Sequence, residues 1–378
     1  MNQIEHFKSG NQMTGDGYKY FIPDSINKEW SWSDPSLNAL LEKASIQLGQ
    51  LNSYARLVPN VDLFIHLHVT KEAVISSRIE GTQTNIDEAF FPEEDINPER
   101  KNDWIEVNNY TKALNFAVEE LKKLPLSTRL LRKTHEILLE GVRGENKLPG
   151  EFRRSQNWIG GATLNDAVFI PPSHTYVNDL MSDLEKFLHN DQINVPALVR
   201  IAIAHYQFET IHPFLDGNGR IGRLLITLYL VSKGILDKPL LYLSAFFEKN
   251  KGLYYDNLTF VRQKNDLVQW IKYFLVGIET TSANAISTFT EVLAMKTRIE
   301  AELHSKWGRR SGSAYNLFQY LLKNPVVRIK DVEKICGLST KAAGDLVESF
   351  ETAGFLKEFS GQSRNRVFVF EQYINLFK

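Results

Sequence analysis

Between residues 212 and 223 the chain reads His212-Pro213-Phe214-Leu215-Asp216-Gly217-Asn218-Gly219-Arg220-Ile221-Gly222-Arg223. His212 titrates near neutral pH and suits a general base. Asp216 is a hard oxygen ligand of the kind Mg²⁺ takes once or twice while water and substrate fill the rest of its shell. Gly217 and Gly219 let the backbone turn and approach a ligand with no Cβ in the way. The N–H groups opening a following helix are unsatisfied and lie beside its positive dipole end. Arg220 and Arg223, three apart, project from the first turn with two permanent charges suited to phosphate oxygens. The same residues also have the composition of an ordinary turn, with Phe214 as a core anchor. That plainer reading leaves two arginines entering an apolar helix with no partners.

The elements that must position these groups are two apolar runs, 195–211 and 221–231, both expected to be helical. A polar turn between hydrophobic supports is a common way to build a site. Position for position, His212 to Arg223 resembles the HPFxDGNGRxxR signature of the Fic family. The resemblance implies an all-α Fic helical core with a small β-hairpin flap, which transfers AMP from ATP to a hydroxyl side chain of a target protein or of itself and releases pyrophosphate. It implies His212 as the base for the target hydroxyl and Asp216 as the Mg²⁺ ligand. Gly217, Asn218 and Gly219 would cradle the phosphates, and Arg220 and Arg223 would hold the β- and γ-phosphates. Removal of AMP, or transfer of another phosphate-bearing group, stays open within the same enzyme class.

Upstream, Ser76-Ser77-Arg78-Ile79-Glu80-Gly81 closes an apolar-periodic stretch that begins near Val61, with Gly81 suited to the position just past a helix end. By itself this is a helix end with a surface carboxylate. Beside the 212–223 motif, it is similar to the inhibitory (S/T)xxxE(G/N) helix of one class of Fic proteins, with Ser76, Glu80 and Gly81 at the matching positions. The resemblance implies that Glu80 pairs with Arg223 and blocks the γ-phosphate. A carboxylate–guanidinium pair is strong enough to compete with a phosphate for one arginine.

Glycines, prolines and short β-prone runs over 150–172, with Trp158-Ile159-Gly160-Gly161 facing Val168-Phe169-Ile170, read as a small hairpin. The resemblance makes it a flap near 158–172 that docks the target by strand addition; a plain connecting loop is the alternative. Asn250, ahead of Tyr254-Tyr255, is similar to the family asparagine that meets the adenosine. The two tyrosines fit core packing equally well.

Composition sets limits on the rest. The formal net charge of −1 and 43% hydrophobic content fit a compact protein of two or three domains, expected in the cytoplasm. The single cysteine, Cys336, excludes an internal disulfide and a clustered thiolate site. No run is long and apolar enough for a membrane span, and the polar N-terminus lacks a signal-peptide core. His135-Glu136 has no second histidine at the spacing a zinc helix needs, so no zinc is expected.

Three parts are expected: an N-terminal helical region, 1–110, whose first 35 residues form a polar arm and whose inhibitory helix covers about 61–81; a catalytic core, 111–300; and a winged-helix-like domain, 309–378. A helix from Ile278 to Leu303 leads out of the core, and 308–313 reads as a linker. The C-terminal order of three helices and two β-prone runs around Gly361 is that of a winged helix-turn-helix, a fold that puts the helix after the turn into the DNA major groove. That helix offers Lys341 against Asp345, Glu348 and Glu351, and DNA affinity rests on phosphate neutralisation. Homodimerisation or protein docking therefore competes with DNA binding. The alternative for the whole chain is a transcriptional regulator whose Fic-like body senses ATP.

Overall fold

The structure is a computed structural model describing residues 2–15, 17–57, 61–359, 361 and 365–378. Its N-terminal stretch is not a polar arm. Strands β1 (Asn2–Gln3) and β4 (Trp30–Ser31) pair in parallel. Between them β2 (Gly10–Gly15) and β3 (Tyr18–Pro23) form an antiparallel hairpin with Gly10 opposite Pro23 and Gly15 opposite Tyr18. Five of its apolar residues, Ile4, Phe7, Phe21, Ile26 and Trp30, are buried, while Met13 is exposed. Phe7 packs edge-on against Tyr206, and Ser9 bonds the Asn265 side chain. A polar average hid a segment whose apolar minority fits the body.

Helices follow in chain order. Long α1 (Pro35–Leu57) and α2 (Asp62–Ile79) lead through short 3₁₀ turns to α3 (Lys101–Glu120) and α4 (Thr128–Leu138). After the 150–172 segment come α5 (Val177–His189), α6 (Ala197–Ile211) and α7 (Asn218–Ser232). Helix α6 is buried along its whole length from Leu198 to Ile211, so every face is packed, and its polar members Arg200, His205, Gln207 and Glu209 are buried with the rest. It packs against α5, α7 and α10, the last defined below.

Next are α8 (Ser244–Lys249), α9 (Lys251–Lys264) and α10 (Leu267–Lys306). The stretch around Trp270 and the expected helix 278–303 are one continuous 40-residue helix. Asp266 caps its start by accepting the Gln269 N–H at 3.1 Å. α10 lies along α1, and its Trp270 is fully buried against His205, Tyr254 and Phe274.

Residues 308–313 are not an open linker. A 3₁₀ turn, Gly308–Arg310, runs directly into α11 (Ser311–Leu321), and Trp307 packs on Phe350 and Phe355. Then come β5 (Val326–Arg328), α12 (Ile329–Cys336), α13 (Thr340–Thr352), β6 (Lys357–Glu358), β7 (Val367–Val369) and α14 (Glu371–Asn375). Gly337, at φ +64°, ends α12, and Ser339 caps α13. The sheet order is β5-β7-β6, all antiparallel, with Val369 between Val326 and Lys357. β5, three residues long, carries too short a pattern to read from sequence. Most of the tip of the β6–β7 hairpin, residues 360 and 362–364, lies outside the described residues.

This C-terminal body is clasped to the segment that follows α2. Phe359 packs on Phe91 with ring centroids 4.8 Å apart, Arg328 pairs with Glu94 and Asp95, and Lys378 pairs with Asp87. No helix among the described residues is long and apolar enough to cross a membrane.

Trp270 also donates its indole N–H to the Ala202 carbonyl at 2.8 Å. Trp270→Ala should therefore lower unfolding free energy by about 3–5 kcal/mol, the range for emptying a large buried aromatic site. Urea denaturation followed by circular dichroism measures it.

Candidate active site

His212 ends α6 in a left-handed conformation, φ +51° and ψ +60°, unusual for a residue with a Cβ and held only where surroundings dictate it. The surroundings are Arg153 and Asn157. Buried Arg153 donates to the carbonyls of His212, Ile211, Pro172 and Ser155, and its own N–H bonds the Pro213 carbonyl at 2.9 Å. Asn157 donates to the carbonyls of His212 and Phe214. A guanidinium with five donors can bind several carbonyls at once, which makes Arg153 a staple between the loop and the 150–172 segment. With no carboxylate to compensate it, burial brings its pKa down to about 10.

Asn218 closes the loop from within, accepting the Phe214 N–H at 2.8 Å and donating to the Phe214 carbonyl at 2.9 Å. Its side chain is thereby used up, and what it can offer a ligand is its backbone N–H at the start of α7. Gly217, at φ +74°, supplies the turn. Beneath the loop His135 stacks on Phe214 with centroids 3.8 Å apart, meets the Asp216 carbonyl through Nε2 and accepts the Gly150 N–H at Nδ1. That assigns the neutral tautomer, and burial lowers this histidine to about 4.

The charged groups are arranged in two pairs. Arg220, 4% exposed, donates to Glu106 at 3.1 Å and lies 3.6 Å from Asp216. Glu106 also takes Arg143 at 2.9 Å. Arg223, equally buried, donates to the Ser76 hydroxyl and carbonyl, each at 2.8 Å, and to Glu80 Oε1 at 2.7 Å. Burial opposes the charge on both Glu80 and Arg223, yet their attraction wins. The carboxyl lies below its usual range and the guanidinium above. Glu80 retains 35% of its side-chain surface. Gly219 is what lets it sit there, because a Cβ at that position would fall 2.3 Å from Glu80 Oε1. Gly81, at φ +107°, turns the chain away just beyond, and Lys251 donates to the Ile79 carbonyl at 2.6 Å to hold the end of α2.

His212 is half-buried with its Nδ1 out of reach of solvent, and desolvation followed by the Arg153 charge lowers it to about 4 even though Glu80 pulls the other way. It is therefore a neutral imidazole at pH 7, and its Nδ1 has no partner among the described residues. Asp216 Oδ1 takes the Gly217 N–H at 2.6 Å, while the carboxylate as a whole is 44% exposed. No group of three acidic, histidine or cysteine side chains that could cage a metal occurs among the described residues. One partly open carboxylate still suits Mg²⁺, which keeps its waters and borrows substrate oxygens.

His212, Asp216, Gly217, Asn218, Gly219, Arg220 and Arg223 thus share one loop and helix start, with Ser76 and Glu80 brought to them from far in sequence. Asn250 stands at the α8–α9 junction with its amide turned back to the Phe246 carbonyl. The 158–172 hairpin exists as one antiparallel bridge, Ile159 with Phe169. On its other side Ile170 accepts the Phe21 N–H at 3.0 Å, so β3 extends it. Asn157, Glu106 and Glu209 escaped the sequence reading, and His135 and Arg153 were noted there without a place at this loop. Glu106 could have been found, since with Tyr110, Ala113 and Ala117 it lies on the buried stripe of α3, where a lone charge needs a partner. Glu209 is likewise a charge inside an apolar helix. Burial raises it to about 7, and it occupies space that a Cβ at Gly222 would take.

Comparison with known proteins agrees with this geometry. Residues 38–119 match the Fic/DOC family N-terminal domain and residues 125–230 the Fic/DOC family domain. The chain belongs to the Fic/DOC family. It is 30% identical over 190 residues to a probable protein adenylyltransferase of Aquifex aeolicus, covering 49% of this chain and 56% of that one. It is 35% identical over 134 residues to the protein adenylyltransferase Fic of Culex quinquefasciatus, covering 35% and 24%. The chain thus spans about half of the first relative's length and about a quarter of the second's. A Fic family protein from Desulfovibrio desulfuricans has the same fold, with a TM-score of 0.56 at 20% identity over 91% of this chain and 98% of the other.

Buried neutral histidines make stability pH-dependent. Burial lowers His68, His135 and His212 to about 4 and His205 to about 3, so below pH 6.5 the unfolded chain binds protons that the native one does not. Buried Glu72 and Glu209, raised to about 7, act oppositely but number two against four. Stability should rise from roughly pH 4.5 to pH 6.5 and level off near 7. Melting temperature across that range tests it.

Proposed function

We propose that this chain is a protein adenylyltransferase: it moves AMP from ATP to a Ser, Thr or Tyr hydroxyl of a target protein, or of itself, and Glu80 holds it inhibited. The observation that carries the reading is the Arg223–Glu80 pair at 2.7 Å beside a neutral His212. The names of the curated relatives support the reaction class.

In this mechanism the target hydroxyl gives its proton to His212 as its oxygen attacks the α-phosphorus. The bond from the α-phosphorus to the bridging oxygen breaks, and pyrophosphate leaves. A neutral imidazole with a free nitrogen can take that proton at pH 7 without first losing one. The N–H groups of Asn218 and Gly219 open α7 and receive phosphate oxygens, joined by that of Gly217 if it turns from Asp216 Oδ1, while Arg220 and Arg223 neutralise the β- and γ-phosphates. Asp216 would hold Mg²⁺, which when bound offsets phosphate charge. Asn250 would serve the adenosine if its amide turns from Phe246. Glu80 occupies the Arg223 guanidinium that the γ-phosphate needs, with Ser76 holding the same arginine in place.

The 158–172 hairpin would dock the target by strand addition. Since Phe21 takes the edge at Ile170, the edge at Trp158 and Gly160 is the one offered, flanked by exposed Trp158 and Val168. The three-part division at 1–110, 111–300 and 309–378, a homodimer and a cytoplasmic setting belong to the same proposal. The C-terminal body is read as a winged helix-turn-helix. One observation keeps DNA in view: Arg328, Lys330, Lys334 and Arg366 line a cleft with Glu333 beside Thr340, so most basic residues lie beside α13, which itself carries Lys341 alone. Duplex DNA should bind weakly, with affinity that falls steeply as salt rises. Fluorescence anisotropy reads this, and salt-insensitive binding or none removes DNA from the proposal.

Wild type, Glu80→Gly and His212→Ala incubated with ATP labelled at the α- or the γ-phosphate test the reaction. Protein label should come from the α-phosphate alone and be absent in His212→Ala. Loss of a charge-assisted bond worth about 1.5–3 kcal/mol should raise it roughly ten- to a hundredfold in Glu80→Gly. Label from the γ-phosphate, or no gain in Glu80→Gly, defeats the reading.

A further inference from the structure

A second cavity, of about 190 Å³, opens between α2, α8 and α10, and none of its lining residues belongs to the 212–223 segment. Its wall includes Lys71, Glu72 and Ile75 from α2, Phe246 and Lys249 from α8, and Tyr242 just before α8. Some of the polar groups there are already committed: Glu72 accepts from the Tyr110 and Ser244 hydroxyls. Others are not. Lys71 and Lys249 make no hydrogen bond or ion pair among the described residues, and the Tyr242 hydroxyl is buried without a partner. All three are donors and two are cations, set against the apolar surfaces of Ile75 and Phe246. Burial lowers the pKa of Lys71, and the pull of neighbouring Glu72 does not make up for it. A cavity of ~150 Å³ holds a benzene ring, so this one has room for a ring and a small charged group.

We propose that the α2–α8–α10 cavity binds a small organic anion, a single ring or short branched chain bearing one carboxylate or phosphate, held by Lys71, Lys249 and Tyr242, and that its occupancy keeps α2 where Glu80 meets Arg223. Lys71 and Ile75 are on the helix that carries Ser76 and Glu80. An anion bridging α2 to α8 and α10 binds only while α2 is packed, so it adds its binding energy to the inhibited arrangement. The regulatory half rests on the proposed function, whereas the site itself does not.

The test titrates benzoate, phenyl phosphate and neutral benzyl alcohol into the full chain, read by saturation-transfer NMR and by melting temperature without ATP. Both anions should bind and raise the melting temperature, and benzyl alcohol should not. Lys71→Met, with its fold checked by circular dichroism, should weaken benzoate at least about tenfold. Ala285→Leu, which fills the cavity from α10, should abolish binding with the melting temperature kept. Benzoate should then weaken ATP binding to the wild type and leave it unchanged in Glu80→Gly, a variant that still binds benzoate. No anion binding to the wild type, equal binding to Lys71→Met, or equal binding of benzyl alcohol overturns the site. An equal effect on ATP affinity in wild type and Glu80→Gly overturns the coupling. Neither readout involves AMP transfer, so failure of the transfer mechanism is seen separately.

Discussion

A guanidinium stripped of water is the constraint around which this molecule is organised. Arg223 sits inside an apolar bundle, where a lone charge is prohibitively costly. The Ser76 hydroxyl and carbonyl and the Glu80 carboxylate make its burial tolerable. Those three groups come from one end of α2, so the last turn of that helix, the glycine that ends it and the Lys251 contact behind it all serve to bring one carboxylate to one place. The missing Cβ at Gly219 completes the fit.

The two other buried arginines beside the loop are compensated differently. Arg220 has Glu106, itself shared with Arg143. Arg153 has carbonyl oxygens alone, which is why burial lowers its pKa while Glu80 raises that of Arg223. The uncompensated charge beside His212 is one reason that imidazole stays neutral. The left-handed backbone at His212, the Asn218 clasp on Phe214 and the His135 stack beneath are then parts of a single mount that holds a neutral imidazole at the end of α6.

Much of this was legible in the sequence because the chemistry is contiguous. Twelve residues between two apolar runs announce a loop, its charges and its base, and a helix ending in Glu80-Gly81 is recognisable beside them. What was illegible was distant or averaged. Glu106 looks like any helical glutamate until α3 is seen to bury that face, and Arg153 looks like part of a polar loop until five carbonyls converge on it. The N-terminal hairpin hides in a polar composition because burial there depends on single residues such as Phe7 and Phe21, which meet Tyr206 and Phe169 far along the chain. Residues 308–313 show the reverse error: glycine and serine suggested slack, but Trp307 and the start of α11 leave none.

The clasp between the C-terminal body and the segment after α2 combines one aromatic contact with ion pairs to Glu94, Asp95 and Asp87 in which every side chain keeps at least a fifth of its surface in water. Exposed pairs of this kind weaken as dissolved ions screen them, whereas the buried Arg223 is shielded from that screening. Ionic strength therefore acts unequally along one stretch of chain, loosening the far anchor of the loop while leaving the near one intact. The protein carries, in residues 80–95, a gradient of sensitivity to its medium.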